Sequence, residues 1–393
     1  MSATAGPLWR CLCTVLLLLM APAISADERC SPPLCFASAD ERVTWEWGGR
    51  FRFDATDFHD NSDVGLRDGT NVRRARLSQD LAVGDRWTLD TTWEFADEGI
   101  EGLRDARLRF RPRPGLRYTL GHFKQPFGLE RLTSARDLGY MERSLASELT
   151  PNRGLGGEIH GYNPHGSVAL GIFGSQPTQD MDSRLGAATR VTFAPYSTEG
   201  KVLHLGAALA YRDLTGDGDV QFRQRPGSRT TDIRLVDSGV LQGRNVTYYG
   251  LEAAAAHGPL SVQADYIVTR VDRLGGDRNV HFNGWYVDLG WIITGELLPY
   301  DREDATFGRI RPADSVFAKG TGAVQLSLRL DSLDLNDADV EGGRQRNMTT
   351  SVTWYLTTWA LLVAEYVKVL QTKGGDFDGA RPSLIQGSVE IFF

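Results

Sequence analysis

The side chains best suited to chemistry in this sequence are arginines that recur at alternate positions. Arg74 and Arg76 are two residues apart, Arg107 and Arg109 repeat that spacing, and Arg117 follows soon after. A guanidinium is planar and permanently charged, and it can donate two parallel hydrogen bonds to an oxyanion such as phosphate. Alternate spacing places neighbouring side chains on one face of a β-strand. These arginines therefore indicate a surface that attracts anions.

A second charged segment, Gly121–Leu145, reads GHFKQPFGLERLTSARDLGYMERSL. It is too long for a tight turn and carries charges of both signs. Its bases are Lys124, Arg131, Arg136 and Arg143, and its acids are Glu130, Asp137 and Glu142. The residues alone allow three interpretations: an exposed loop with a helical turn over 136–144, the lid of an active site, or a segment inside a pore.

An enzyme is the less favoured interpretation of these residues. The sequence contains no Gly-x-Ser-x-Gly, His-Glu-x-x-His or phosphate-loop motif. Glu158 and His160 share one face of a predicted strand, but no nucleophile is evident beside them, and the seven histidines are scattered. We therefore expect no catalytic residue, no cofactor and no bound metal.

Alternation of apolar and polar residues identifies the elements that position the charged side chains. In Gly322–Asp331, GAVQLSLRLD, the valine and leucines fall on one face and the polar residues on the other. Gly387–Phe393 repeats the pattern and ends on an aromatic residue, as expected of a strand that closes a barrel. Sixteen strands are predicted, at 43–55, 71–82, 86–96, 102–112, 115–124, 154–163, 166–175, 185–196, 201–213, 243–257, 259–273, 280–295, 316–335, 343–356, 358–371 and 382–393.

The N-terminus has the features of an export signal. Residues 1–26 contain one positive charge, Arg10, followed by an apolar run and small residues, so we expect a cleaved signal peptide and a mature domain over 27–393. Loss of Arg10 leaves 42 bases against 50 acids, a charge of −8, which argues against a nucleic-acid partner. Cys30 and Cys35 then remain as a disulfide or as free thiols.

An exported chain rich in amphipathic strands is predicted to form a barrel in the outer membrane. No apolar run after residue 26 reaches the roughly 20 residues of a membrane-spanning helix, and otherwise only closed barrels satisfy the backbone hydrogen bonds in lipid. Short turns are expected on one rim and long loops on the other. The long segments are 56–70, 125–153, 214–242, 296–315 and 372–381. An all-β transmembrane antiparallel barrel of this size encloses water and acts as a channel.

The alternation also assigns faces within the second predicted strand. Arg74, Arg76, Ser78 and Asp80 share one face, and Arg73 points the other way. Two arginines facing lipid at mid-depth would cost about 2–4 kcal/mol each, so the face with Arg74 is predicted to line the lumen. Arg73 is then predicted to lie near a membrane interface or a trimer contact.

Five segments, in order along the chain, carry a family resemblance. They are NVRRARL at 71–77, the stretch from 103 to 145, GWYVDLGWIITGELLPY at 284–300, GAVQLSLRLDSLD at 322–334 and WYLTTWALLVAEYVKV at 354–369. In these segments the chain resembles the phosphate-selective porin O and P family of Gram-negative outer membranes. The resemblance implies a sixteen-stranded trimeric barrel that passes anions, which in some members are phosphate or polyphosphate.

In general porins the loop after the fifth strand folds inward and narrows the pore. By this resemblance 125–153 is expected to enter the lumen, its bases facing the wall and its acids holding it in place. The predicted pore-lining and anion-binding residues are Arg74, Arg76, Arg107, Arg109, Arg117, Lys124, Arg131 and Arg143. Expected partners are small anions such as phosphate, outer-membrane lipid and lipopolysaccharide, and further copies in a homotrimer. The excess of acids favours an alternative, a general, weakly selective or cation-tolerant porin of the same fold.

Overall fold

The computed structural model contains one closed barrel of sixteen antiparallel strands. The structure describes residues 34–40, 42–59, 64–96, 102–174, 185–214 and 218–393. The barrel strands are β1 Val43–His59, β2 Gly69–Val83, β3 Trp87–Glu94, β4 Gly102–Arg113, β5 Leu116–Lys124, β6 Arg153–Asn163, β7 Gly166–Phe173, β8 Gly186–Thr198, β9 Lys201–Asp213, β10 Leu241–His257, β11 Leu260–Arg273, β12 Val280–Ile292, β13 Ala323–Asp337, β14 Val340–Tyr355, β15 Ala360–Lys373 and β16 Ser383–Phe392. Successive strands pair, and β1 pairs with β16 to close the ring. The predicted class and number of strands are confirmed.

The side chains of the barrel alternate in the opposite sense to those of a soluble protein. On β7, Val168, Leu170 and Ile172 are 45–62% exposed on the outside, whereas Ser167 and Ala169 are 6% and 5% exposed on the inside. The alternation arises because successive side chains of a strand point to opposite faces of the sheet. An apolar outer belt around a polar interior is the arrangement that a barrel requires in lipid.

The connections divide between two rims because successive strands run in opposite directions. One rim carries the short turns 84–86, 114–115, 164–165, 199–200 and 258–259. The opposite rim carries the long connections 125–152 and 214–240. The prediction that all long connections share one rim was wrong for 296–315. That segment lies within 293–322, which joins β12 to β13 at the short-turn rim, because the order of the strands fixes the rim and the length of the loop does not.

Helical structure within the described ranges is limited to three short segments. They are the α-helix Leu129–Leu132 and the 3₁₀ turns Leu145–Leu149 and Val316–Ala318. The helical turn considered for 136–144 does not form, and two of these segments flank it instead. No helix in the described part of the chain is long and apolar enough to cross a membrane.

A short strand at the start of the described chain extends the sheet beside β1. Cys35–Ala37 pairs with β1 through Cys35 and Glu46, beyond the stretch of β1 that β16 covers. Cys35 is disulfide-bonded. Cys30 and the predicted signal segment 1–26 lie outside the described residues.

Candidate functional site

The barrel encloses a cavity of about 1330 Å³ whose lining is positively charged. The lining side chains include twenty arginines and lysines and thirteen aspartates and glutamates. This excess of seven positive charges contrasts with the net charge of −7 for the whole chain. Because a narrow cleft with low-dielectric walls concentrates the field of its own charges, the lining determines which ions the cavity attracts.

The charged residues singled out from the sequence come together around this cavity. The lining includes Arg74, Arg76, Arg107, Arg109, Arg117, Lys124, Arg131 and Arg143. The first five lie on β2, β4 and β5, which form one arc of the wall. Lys124 ends β5, and the last two belong to the segment 125–152 that follows it.

Arg73 also faces the cavity, so the prediction that it points outward was wrong. Arg52 pairs with Arg74 and Phe53 pairs with Val72, which leaves Arg73 as the extra residue of a β-bulge. Arg73 is 5% exposed and lines the cavity. A bulge shifts the alternation by one residue, and Arg73 and Arg74 therefore both point inward.

A second bulge adds another arginine to the same arc. Thr92 of β3 pairs with Asp105 and Trp93 pairs with Leu103, which leaves Arg104 as the extra residue of β4. Arg104 and Asp105 both line the cavity. Strict alternation misses such residues. The sequence nevertheless carried one usable signal. An arginine that faces lipid at mid-depth costs about 2–4 kcal/mol, and a bulge that turns the side chain inward avoids this cost.

Carboxylates on the wall hold the arginines of β2 in fixed positions. Arg74 Nη1 donates to Glu94 Oε2 at 3.2 Å, and Arg76 Nε donates to the same oxygen at 2.6 Å. The backbone N–H of Ala75 donates to the other oxygen of Glu94 at 3.0 Å. The Glu94 side chain is fully buried. One carboxylate therefore orients two guanidinium groups, which leaves a positive charge in excess.

A similar arrangement on β3 and β4 orients the next two arginines. Arg109 donates a hydrogen bond to Asp90, and Arg107 Nε lies 3.4 Å from the other oxygen of that carboxylate. The Arg107 side chain is 35% exposed, against 16% for Arg109. Arg107 therefore presents the most accessible charge in this pair.

Two arginines of β1 belong to the lining, although the sequence analysis did not select them. Arg50 donates a hydrogen bond to Glu390 of β16. Arg52 donates to Asp54 at 2.8 and 2.7 Å and to the carbonyl oxygen of Met141 at 2.6 Å. Their alternate spacing was a usable signal, because Arg50, Arg52 and Asp54 repeat the pattern seen in β2.

The segment 125–152 folds into the lumen and packs against the opposite wall. Phe127, Leu129, Ala146 and Leu149 are fully buried. Burying each large apolar side chain contributes about 1.5–3 kcal/mol. Gly284 of β12 leaves space for Ala146, since a Cβ at that glycine would lie 2.9 Å from Ala146 Cα. We call this segment the constriction loop.

Ion pairs to the wall hold the constriction loop in place. Glu142 accepts hydrogen bonds from Arg73 at 2.7 and 3.0 Å. Glu130 accepts one from Arg329 of β13 at 2.7 Å and one from the Ser144 hydroxyl at 2.6 Å. Burial alone would raise the pKa of Glu142, but the guanidinium groups of Arg73, Arg52 and Arg229 together outweigh burial and hold this pKa well below its usual range. Glu142 is therefore ionised at neutral pH.

Wall carboxylates also accept hydrogen bonds from the backbone of the constriction loop. Asp331 accepts from the Leu145 N–H at 2.8 Å, and Glu365 accepts from the Met141 N–H at 3.0 Å. These acids therefore occupy the side of the lumen on which the loop rests.

Lys124, at the end of β5, and Arg143 of the constriction loop bind carbonyl groups of that loop. Lys124 Nζ donates to the carbonyl oxygens of Leu132 and Thr133 at 3.0 and 3.3 Å. Arg143 donates to the carbonyl of Thr133 at 2.7 Å and to that of Glu130. A carbonyl group carries no net charge, so these contacts fix the cations without neutralising them.

The sequence as a whole matches one family of outer-membrane proteins. Residues 46–379 match the family model described as phosphate-selective porin O and P. The chain belongs to this family. Porin O of Pseudomonas aeruginosa is 26% identical to it, and the match covers 87% of each chain. An uncharacterised protein of Caulobacter vibrioides is 28% identical, and the match covers 85% of this chain and 73% of the relative.

Solved porin structures are similar to this barrel. The anion-selective porin from Comamonas acidovorans has a TM-score of 0.57 at 12% identity, and the match covers 89% of this chain and 100% of that one. OmpT of Vibrio cholerae has a TM-score of 0.53 at 13% identity, with 90% and 98% covered. Such low identities establish the fold alone. Family and fold together point to a channel of the Gram-negative outer membrane rather than to an enzyme.

A further part of the porin, within the connection 214–240, also turns into the lumen. Arg225 and Arg229 of this part line the cavity. The carbonyl of Arg225 accepts a hydrogen bond from Gln345 at 3.2 Å, and that of Pro226 accepts one from Asn347 at 3.3 Å. These anchoring amides lie on β14, about 120 residues further along the chain. No local pattern in the sequence could have indicated this contact.

Proposed function

We propose that this porin is a channel for the passive diffusion of small anions, including phosphate or polyphosphate, through a basic constriction. The observation that carries the proposal is the excess of seven positive charges on the lining of a chain whose net charge is negative. A ring of arginine and lysine side chains attracts anions and repels cations at close range. The name of one similar structure, the anion-selective porin of Comamonas acidovorans, is consistent with it.

The proposed pore-lining and anion-binding groups are the eight residues selected from the sequence, together with Arg73 and Arg104. Within this set Arg117 is proposed as a lining residue, because three carboxylates already contact it. Arginine suits phosphate because its planar fork matches two oxygens of the anion. Carboxylates such as Glu94 and Asp90 contact only part of each guanidinium fork, and they fix its orientation. Orientation in advance lowers the entropy lost when an anion binds.

A second candidate is a general, weakly selective or cation-tolerant porin. It is favoured by the thirteen acids of the lining, several of which pair directly with the wall arginines. Paired charges attract mobile ions less than isolated ones, so the net preference for anions would then be small.

Reversal potentials separate the two candidates. Purified porin would be reconstituted in planar bilayers and measured under a potassium chloride gradient, then with potassium phosphate in place of the chloride salt. The proposal expects a potential close to the equilibrium potential of the anion in both salts. A potential near zero would favour the weakly selective porin, and a potential favouring potassium would refute anion passage.

The assembly and processing of the chain are proposed by analogy and from its sequence. One Vibrio cholerae OmpT structure is described as a trimer form, with a TM-score of 0.50, and a homotrimer in contact with lipid and lipopolysaccharide is proposed here. Native mass spectrometry of the detergent-extracted porin tests the homotrimer, because the measured mass should equal that of three chains. Removal of residues 1–26 is also proposed, and N-terminal sequencing of the mature protein tests it.

A further inference from the structure

The connection 293–322 places acidic side chains inside the lumen at the short-turn rim. Its middle part returns into the barrel, where Thr306 and Phe307 are 8% and 3% exposed. Asp304 lines the cavity, and its side chain is 44% exposed. We call the part from Tyr300 to Arg309 the inner hairpin, because Tyr300–Asp301 pairs with Thr306–Phe307 as two short antiparallel strands.

The wall holds the inner hairpin through groups other than its acidic side chains. Arg190 of β8 donates to the carbonyl oxygens of Asp304 and Ala305 at 2.9 and 2.8 Å. The Tyr300 hydroxyl lies 2.8 Å from Nδ1 of His204 on β9. Arg190 and His204 both also contact Glu252, at 2.8 and 3.1 Å. The hairpin therefore has anchors on the wall that do not involve the carboxylates of Glu303 and Asp304.

Those two carboxylates contact the end of the basic arc. Thr119 of β5 pairs with Arg109 of β4, and Arg117 lies two residues closer than Thr119 to the short turn 114–115. Arg117 is therefore the cavity-lining arginine of β4 and β5 that lies nearest the short-turn rim. Arg117 Nη1 donates to Glu303 at 2.6 Å, and Arg117 Nη2 lies 2.8 Å from Asp304. Glu158 also lies 3.6 Å from Arg117 Nη2. Arg117 thus faces three carboxylates, more than Arg107 or Arg109.

The carboxylates of the hairpin are ionised at neutral pH. Burial would raise the pKa of Asp304, but the charge and hydrogen bond of Arg117, together with the charge of Arg107, outweigh burial and lower that pKa below its usual range. Glu303 behaves in the same way, with Arg117 and Arg111 as the opposing charges. Each carboxylate is therefore a fixed negative charge at the end of a row of arginines.

We infer that Asp304, with Glu303, is an anion-release element, a tethered carboxylate that occupies Arg117 and stops permeating anions from being held there. This inference rests on the proposed anion channel. Conduction requires an ion to leave its last site as readily as it enters the first. A row of arginines that ended in an unoccupied guanidinium would hold a phosphate ion at the short-turn end of the row. A carboxylate fixed at that point competes with the phosphate for Arg117 and shortens the time that the phosphate stays there.

Block of the chloride current by inorganic phosphate tests this inference. Asp304→Asn and the double variant with Glu303→Gln would be compared with the parent porin in planar bilayers. Two unit charges about 6 Å apart in water repel one another enough to change binding about threefold. The concentration of phosphate that halves the chloride current should therefore fall about threefold for Asp304→Asn and further for the double variant.

Matched variants identify the cause of the effect. Asp314→Asn removes the same charge from an exposed position of 293–322 that does not line the cavity, and it should leave the phosphate block unchanged. Asp304→Glu keeps the charge and should behave like the parent. Heat-modifiable migration in gels verifies that each variant forms a folded barrel. Equal half-blocking concentrations in parent and Asp304→Asn, or an equal shift in Asp314→Asn, would overturn the inference.

The proposed function and the release element fail in different ways. If the parent porin shows a cation-favouring reversal potential, anion passage itself is refuted. If the parent favours anions but removal of the hairpin carboxylates leaves the phosphate block unchanged, only the release element is refuted.

Discussion

Replacing Arg107 by glutamine should weaken anion preference without disturbing the barrel. The Arg107 side chain is 35% exposed, whereas those of Arg74, Arg76, Arg109 and Arg117 are 8–16% exposed. Removing Arg107 also leaves its neighbour Asp90 compensated by Arg109. By contrast, removing Arg74 and Arg76 together would strip the buried Glu94 of both guanidinium partners, and loss of a partner from a buried ion pair costs about 3–5 kcal/mol.

The size of the effect follows from the distance at which an anion can approach. Two unit charges 4 Å apart interact by about 1 kcal/mol in bulk water and by about 4 kcal/mol at an effective dielectric constant of 20. A water-filled lumen lies between these limits, and the Debye length of about 10 Å in 0.1 M salt does not screen a contact this close. The smaller value already corresponds to about a fivefold change in an equilibrium constant. Arg107→Gln should therefore reduce the anion-to-cation permeability ratio about fivefold or more.

Reversal potentials in a potassium chloride gradient measure this ratio directly. Arg107→Lys keeps the charge and should retain most of the preference. Arg86→Gln removes the same charge from an exposed turn outside the cavity, and it should match the parent. The reasoning is refuted if Arg107→Gln leaves the reversal potential unchanged, or if Arg86→Gln shifts it equally, since net charge rather than lumen charge would then control selectivity.

Three further predictions concern the constriction loop. Glu142→Gln removes charged hydrogen bonds from Arg73 and should destabilise the folded porin by about 1.5–3 kcal/mol. Thermal unfolding measures this loss of stability, and a variant as stable as the parent would show that the pair does not anchor the loop. The stability difference between parent and Glu142→Gln should be constant from neutral pH down to the usual glutamate pKa of 4.5 and vanish at lower pH. The reason is that a lowered folded-state pKa confers stability only while the carboxylate is ionised. A difference that vanished well above pH 4.5 would contradict the lowered pKa of Glu142. Gly284→Val places a side chain against Ala146 and should displace the loop at a cost of about 1–3 kcal/mol. Single-channel conductance should then change. An unchanged conductance would mean that the loop does not narrow the pore at this point.

The strands could be predicted from the sequence because their signal is local. An apolar residue at every second position is needed wherever one face meets lipid and the other meets water. The predicted strand 102–112 accordingly corresponds to β4, Gly102–Arg113, and 201–213 corresponds to β9, Lys201–Asp213. Each strand carries this requirement by itself, so no knowledge of its partners was needed.

The bulges and the inner hairpin could not be predicted in the same way. Arg73 and Arg104 face the lumen because the neighbouring strand is one residue shorter at that point, and the register between two strands is a property of the pair. The hairpin lies inside the barrel because Arg190 and His204 hold it, and both come from strands about 100 residues earlier.

The sequence by itself determined the barrel and the basic character of β2 and β4, since both are carried by short-range alternation. Only the tertiary structure decided the sign and shape of the lumen. A net charge counts acids wherever they lie, whereas the field in a pore depends on which of them the closed sheet and its inward loops bring to the cavity. Folding gathers twenty bases and thirteen acids around that cavity. An acidic chain thereby acquires a positively charged pore.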